Sequence, residues 1–490
     1  MITINVNTIR SQIVGQLAKE VINKIDSKLS YELPGAFFMQ QRNPWLGVKK
    51  LFSKITQSFP TGLIHYVETI LQTYNLEYEI IDCRTPITLG TELPYYGLPL
   101  RDYQLEAVNR AIQKQRGIIK IATGGGKSLV LAQIIAKLNI PTLILTHKVD
   151  LLYQLQRVFK DALKVSIGVI GDGKCAIEQF TVATIQTIAK AYDKPKKRRK
   201  SKEVDVDDNM LLSKSEQIQQ LVESVQCLIV DEVHHISCDS YWTVHKQAKN
   251  ALYRVSCSAS PWREDGADLL IEAAMAKQLI DIKASNLIER GYLVPPTVYL
   301  LNFKHERKSR DDYQYSEIYD DEIMNNLERN KLIVKAALKA ASQKKTVLIA
   351  VTKVEHGKTL EAMLQTVEPD SLFVFGESDS ELRQQVLQEL NERKRKIVIC
   401  TTIFGEGIDV PNLDVLINAK AASSSVDAFQ LIGRVLRKTP QKSRAYVVDI
   451  FDKNCKYIGS HTNSRLRIYQ TEPRYELKEV FFVLDLNFKE

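Results

Sequence analysis

The chain has 490 residues, enough for roughly two to four domains of ordinary size. Its 44% hydrophobic and 26% charged residues suit a globular protein and exclude a disordered or fibrous one. A net charge of +9 permits a polyanionic partner, and no apolar run reaches membrane-spanning length, so no membrane partner is expected.

Residues 1–95 read as a small mixed unit. Helical periodicity covers 9–29 and 62–75, and a strand follows at 76–82. The first residues, MITINVNTIRSQIVGQ, lack the continuous apolar core of a secretory signal. Seven scattered cysteines form no CxxC pair, so neither a zinc site nor a disulfide framework is indicated, and a cytoplasmic setting is expected. From about 100 to 283 apolar strands alternate with helices: GIIKIA, TLILT, KVSIGVI, QFTVAT, CLIVDE and YRVSCSA. The alternation resumes from about 343, with KTVLIAV, SLFVFG, KIVICT, VLINA and AYVVDI. Such alternation predicts an α/β fold of two lobes with parallel sheets covered by helices, separated by the polar segment 302–330. The expected domains are 1–95, 96–290 and 291–490. The charged, apolar-poor stretch 193–217 is expected to be a mobile insertion in the first lobe. It contains KPKKRRKSK at 194–202, whose seven basic residues face five acids between 193 and 208, so the basic excess is spread along the chain.

The stretch IATGGGKS at 121–128 carries chemistry. Glycines between a buried strand and a helix let backbone N–H groups crowd an anion. Lys127 supplies a point charge for phosphates, and Ser128 a hydroxyl for Mg²⁺. Thr123, Gly124, Gly125 and Gly126 complete the loop; Ile121 stands where the strict P-loop pattern has glycine. A nucleotide hydrolase also needs acids at the end of an apolar strand, and CLIVDEVHH offers Asp231 for the metal and Glu232 to polarise a water. A nucleoside triphosphate and Mg²⁺ are therefore expected. His234 and His235 follow, without a further ligand at metal spacing.

The ordered motifs resemble those of a superfamily 2 helicase of the DExH type over roughly 97–450. The resemblance implies two tandem RecA-like lobes and nucleic-acid-stimulated ATP hydrolysis, so that the cofactor is ATP with Mg²⁺. LRDYQ (100–104) resembles the glutamine motif, with Arg101 and with Gln104 reading the adenine edge. LTHKVDLLYQ (145–154) and VATIQT (182–187) resemble motifs Ia and Ib, with Thr146, His147, Lys148 and Thr187 toward nucleic acid. DEVHH is motif II, and SAS (258–260) resembles motif III. TTIFGEGIDVP (401–411) resembles motif V, with Thr401 toward nucleic acid and Gly405, Gly407 and Asp409 near the nucleotide. QLIGRVLR (430–437) resembles motif VI, whose Arg434 and Arg437 are expected on one helix face, as charge stabilisers for the γ-phosphate.

Two features point to a branch of the family. SASPWRED resembles the Arg-Glu-Asp element of XPB-type helicases, adding Arg263 to the nucleic-acid contacts. Between Glu32 and Glu68 no acidic residue occurs, while lysines and an arginine interleave with Phe37, Phe38, Trp45, Phe52, Phe59 and Tyr66. That pattern fits a DNA surface, with Trp45, Lys49 and Lys50 as its candidate contacts. The layout resembles the N-terminal domain of UvsW-type phage recombination helicases. It implies remodelling of branched DNA by a monomeric motor; a restriction-type DNA translocase or an RNA helicase is the alternative.

Overall fold

The computed structural model describes residues 1–32, 47–193, 206–233, 239–261, 268–304, 314–401, 410–421, 425–452 and 456–489. By contacts the chain divides into Met1–Ile121 with Gly126–Asp281, and Ala122–Gly125 with Ile282–Glu490.

The N-terminal part contains β1 (Ile2–Val6), β2 (Arg10–Val14), β3 (Ser30–Glu32), β4 (Val48–Lys50), β5 (Ser58–Pro60) and β6 (Tyr78–Asp82). Its four-stranded sheet has the order β5-β2-β1-β6, and β3 pairs with β4 as a separate antiparallel ribbon. The helix expected over 9–29 is corrected to a strand followed by a helix. In RSQIV, Ser11 and Ile13 turn inward while their neighbours face solvent. This period of two suits pairing with β1, where Ile13 opposes Ile4. Gly15, at φ +122°, ends the strand, and the helix runs only over Lys19–Lys28.

This part is not a free-standing module. Its core, which includes Ile4, Ile25, Phe59, Leu63 and Leu71, continues into Leu270 and Ala273 of the helix Asp268–Met275. Gly62 lies so close to that helix that a Cβ would stand 2.1 Å from the carbonyl oxygen of Glu272, so only glycine fits.

The first lobe adds β7 (Arg116–Ile121), β8 (Thr142–Thr146), β9 (Gly168–Gly171), β10 (Lys174–Ala176), β11 (Phe180–Thr184), β12 (Cys227–Asp231), β13 (Tyr253–Ser258) and β14 (Gln278–Ile282). Their order is β10-β9-β11-β8-β12-β13-β7-β14. The central pairs from β9 to β7 are all parallel. Fully buried strands such as LIVD and TLILT read as continuous apolar runs because helices cover both faces.

The expected mobile insertion is corrected over 206–217, which lies in the helix Val206–Ser224. The last turns of that helix bury Ile218, Leu221 and Val222 in the lobe core, and this anchor holds the polar turns that precede them. The basic run 194–202 lies outside the described residues.

The second lobe contains β15 (Pro296–Phe303), β16 (Val347–Ala350), β17 (Leu372–Val374), β18 (Ile397–Cys400), β19 (Val415–Asn418), β20 (Ala445–Asp452) and β21 (Glu476–Val480), in the order β17-β18-β16-β19-β20-β15-β21. Every neighbouring pair is parallel. The first residues of the expected polar separator, Asn302 and Phe303, belong instead to the buried strand β15. Its helices include Leu327–Ser342, which packs Ile333, Ala336 and Ala340 onto the sheet.

Candidate nucleotide and nucleic-acid sites

Strand order makes the first site. The carboxyl ends of β7, β13, β12, β8 and β11 follow one another along one edge of the first-lobe sheet. They carry the glycine loop, SAS, Asp-Glu, LTHK and IQT in that order. Ligands of parallel α/β sheets bind at such an edge.

After β7, Gly124 and Gly126 take φ +82° and +78°, a region closed to most side chains. Gly126 caps the helix Lys127–Leu138, so the half-buried Lys127 and Ser128 stand at a helix N-terminus. A Cβ on Gly126 would lie 2.4 Å from Nε2 of Gln104. That glutamine is buried, and its Oε1 accepts the backbone N–H of Arg101 at 2.8 Å. Arg101 also donates to the Tyr103 hydroxyl at 3.1 Å. The glutamine motif is thereby pinned against the glycine loop.

Asp231 ends β12 and Glu232 follows; both are buried to 8% exposure. Glu232 adopts φ +53°, unusual for glutamate, with its N–H donating to the Cys257 carbonyl at 3.1 Å. Its Oε1 lies 3.5 Å from Lys127 Nζ, and its Oε2 accepts the Ser258 hydroxyl at 2.8 Å. Ser258 Oγ in turn accepts the Ser260 N–H at 3.2 Å. Lysine, glutamate and serine thus form one chain across three adjacent strands. The sequence marked SAS as a motif, but the role of Ser258 as the hydroxyl that orients Glu232 emerges only from the register of β12 against β13. Burial, with the Asp231 and Glu232 carboxylates nearby, pushes the Cys257 thiol up, so it remains an inert apolar filler.

Motifs Ia and Ib meet because β8 and β11 are neighbours, with Thr146 opposite Thr184. Gln186 Nε2 donates to the His147 carbonyl at 3.2 Å, and the Thr184 and Thr187 hydroxyls lie 2.8 Å apart. His147, Lys148 and Thr187 are half-buried at this edge. Thr146 is fully buried, so its side chain is corrected from a surface contact to part of the strand end.

In the second lobe Thr401 is buried just after β18, its N–H on the Val374 carbonyl at 3.4 Å. The helix Ser425–Val435 carries Arg434 in its last turn. Arg437 does not continue that helix, which corrects the expected shared face. It forms an isolated antiparallel bridge with Leu293, and Val294 N–H donates to the Leu436 carbonyl at 2.9 Å. Residues after the helix are thus fixed by the strap that enters β15.

Of the N-terminal candidates, Lys49 is exposed on β4. Lys50 and Lys54 both pair with Asp26, at 2.9 and 3.0 Å. Burial raises the Asp26 pKa, but the two lysines outweigh it and hold the carboxyl below its ordinary value. Phe52 and Phe59 are core residues, which removes them from the basic-aromatic surface expected here. Trp45, Phe37, Phe38, His234, His235, Arg263, Gly405, Gly407 and Asp409 lie outside the described residues.

The family described as Type III restriction enzyme, res subunit, matches residues 97–263. Helicase conserved C-terminal domain matches 328–458. The chain is 25% identical over 392 residues to the DNA 3'-5' translocase XPB2 of Sulfurisphaera tokodaii, covering 73% of this chain and 82% of the relative. It is also 25% identical over 414 residues to the ATP-dependent DNA helicase uvsW of Enterobacteria phage T4, covering 77% and 76%. Among solved structures, Saccharomyces cerevisiae Dbp5 bound to RNA and ADP BeF3 superposes with a TM-score of 0.51 at 13% identity, covering 78% of this chain and 94% of that one, which speaks to the fold. Helicase motifs in order on two RecA-like sheets, with these two family matches one after the other, make the chain an ATP-dependent enzyme similar to the superfamily 2 helicases of the XPB and UvsW types.

Proposed function

We propose that this enzyme is an ATP-dependent DNA helicase and translocase that remodels branched DNA: four-way junctions, forks and D-loops. The observation that carries the reading is the Lys127–Glu232–Ser258 chain on one sheet edge, in a sequence that spans most of both DNA-acting relatives. In this reading residues 1–95 are an accessory DNA-binding domain, 96–290 the first lobe, and 291–490 the second lobe with its C-terminal segment. The motor works as a monomer in a cytoplasmic setting; no described helix is long and apolar enough to cross a membrane.

The glycine loop and Lys127 hold the ATP phosphates. The hard oxygen donors Ser128 and Asp231, at a helix N-terminus and a strand end, suit Mg²⁺, which would neutralise phosphate charge when bound. Glu232 takes a proton from the attacking water. Its orientation is set by the Ser258 hydroxyl, and the Lys127 ammonium lies 3.5 Å from its other oxygen. Arg434 and Arg437 stabilise charge on the γ-phosphate. DNA-backbone contacts come from the motif Ia and Ib edge.

A second reading, a double-stranded DNA translocase of a restriction or defence system, is favoured by the restriction-type family match over 97–263. ATP turnover with forked, four-way and plain duplex DNA separates the two. Stimulation and strand separation should be strongest on the branched substrates, and Lys127→Ala should abolish turnover while retaining DNA binding. Equal activity on plain duplex without unwinding favours the second reading. Wild-type turnover by Lys127→Ala removes the nucleotide-site assignment.

A further inference from the structure

Beside the N-terminal sheet, at the start of β7, lies a cavity of about 790 Å³. It is lined by five cations, Arg84, Arg110, Lys114, Arg116 and Lys277, against two acids, Glu68 and Asp82. Asp82 is already taken by Arg84, in a bidentate contact of 2.8 and 2.6 Å. Arg110 is likewise engaged, with Glu106 at 2.6 Å and the Leu279 carbonyl at 2.6 Å. Lys114, Lys277 and Arg116 have no carboxylate partner among the described residues.

Arg116 is the telling group. It is 7% exposed, and one Nη2 donates to the Thr8 carbonyl. Its Nε and Nη1 have no acceptor among the described residues. An isolated buried guanidinium is costly, and proteins normally neutralise one with an anion or several acceptors. The cavity also has an apolar side, formed by Val6, Ile64 and Ile80. It is remote from the glycine loop: Arg116 starts β7 and Ile121 ends it, so about 16 Å of strand separates the two.

We propose that this cavity is a second anion site, which binds a phosphate-bearing ligand of up to about one nucleotide in size, with Lys114 and Lys277 on its phosphate oxygens and Arg116 as the fixed charge behind them. The planar, weakly hydrated guanidinium suits phosphate from within the wall, and the two exposed lysines close on it from solvent. Burial and the neighbouring Arg254 and Arg84 push the Arg116 pKa down, the direction a missing anion would give.

The test is calorimetric titration of the full chain, saturated with ADP and Mg²⁺ to occupy the motor site. Inorganic tripolyphosphate should bind at one further site per chain. Affinity should fall about tenfold or more in Lys114→Ala/Lys277→Ala, a surface pair unconnected to the core, and in Arg116→Met. A short single-stranded oligonucleotide that competes with tripolyphosphate, and is itself weakened by the lysine pair, makes a nucleic-acid strand the source of the phosphate. An oligonucleotide that does not compete makes it a free phosphate compound. Tripolyphosphate binding that is absent, or unchanged in both variants, overturns the proposal.

Discussion

The two lobes bury arginines in opposite ways. In the second lobe each has a carboxylate. Arg329 meets Asp452 at 3.0 and 3.1 Å, and Arg465 meets Asp449 at 2.8 and 2.9 Å, all four side chains nearly inaccessible. In the first lobe neither does. Arg254, wholly buried, donates to the carbonyls of His245, Ala248 and Ala251, around the C-terminal end of the helix Asp239–Gln247. Carbonyls at a helix end carry partial negative charge and stand in for an acid. Burial still lowers the Arg254 pKa to about 9. Arg116 has a single carbonyl. The second lobe pairs both of these arginines with acids of its own, whereas Arg116 of the first meets no acid among the described residues.

The sharpest test of this contrast is to open a closed pair. Asp449→Ala leaves Arg465 buried and also removes the acceptor of the Tyr469 hydroxyl. It should cost about 3–5 kcal/mol in urea unfolding. Replacing both partners, as Asp449→Leu with Arg465→Met, should recover most of that loss, because no lone charge remains. If the single and double variants are equally damaged, the pair is not what closes the lobe.

Both lobes place a neutral histidine beside the buried arginine, and acid should expose this. His245 Nδ1 lies 2.8 Å from Arg254 Nη1, which can only donate, so the ring nitrogen accepts. His356 Nε2 lies 2.9 Å from Asn330 Oδ1 and donates. Burial and the adjacent arginine lower both pKa values, that of His356 to about 3. Below about pH 6.5 the unfolded chain therefore binds protons that the folded chain refuses. Stability is fully present above that pH and falls as pH drops through it toward 3, by up to about 1.4 kcal/mol per histidine per unit. His356→Gln keeps the donor to Asn330 and should flatten the fall between pH 7 and 5. An unchanged slope contradicts the neutral assignment.

At the edge of the first-lobe sheet, buried charge serves turnover rather than stability under the proposed function. Ser258→Ala removes one hydrogen bond to Glu232 without emptying the site. Turnover should drop about tenfold with little change in the KM for ATP, while stability changes by about 1 kcal/mol or less. A large stability loss with unchanged turnover makes Ser258 a packing residue.

Much of this was legible in the sequence. Strands such as CLIVD and TLILT announce themselves because burial on both faces makes them continuously apolar. The glycine loop and the Asp-Glu pair are local in sequence, and so is their spacing to a strand end. What failed was non-local. RSQIV reads as part of a helix until β1 supplies a partner for Ile13. The helix Val206–Ser224 depends on a core contact made only by its last turns. Arg437 leaves its helix because Leu293, far away in sequence, bridges to it. Phe52 and Phe59 looked like a stacking surface, since composition does not tell which aromatic faces inward. Arg116 gave no signal: one arginine at the start of a strand is unremarkable until its neighbours are known.

Arg116 also gives the smallest expected effect. Removing a well-paired buried arginine normally destabilises by several kcal/mol, because a partner is orphaned with it. Here the orphan would be only the Thr8 carbonyl, worth about 1 kcal/mol. Against that, Arg116→Met removes a desolvated charge that is repelled by Arg254 and Arg84 and keeps a similar volume. The two contributions oppose each other, so without phosphate the unfolding free energy should change by about 1 kcal/mol or less, in either direction. Adding inorganic tripolyphosphate should raise the melting temperature of the ADP-saturated wild type and leave that of Arg116→Met nearly fixed, since only a ligand that meets the folded site shifts the equilibrium. A loss near that of Asp449→Ala, independent of phosphate, makes Arg116 a strut between β7 and the N-terminal sheet, and the asymmetry between the lobes then reflects packing alone.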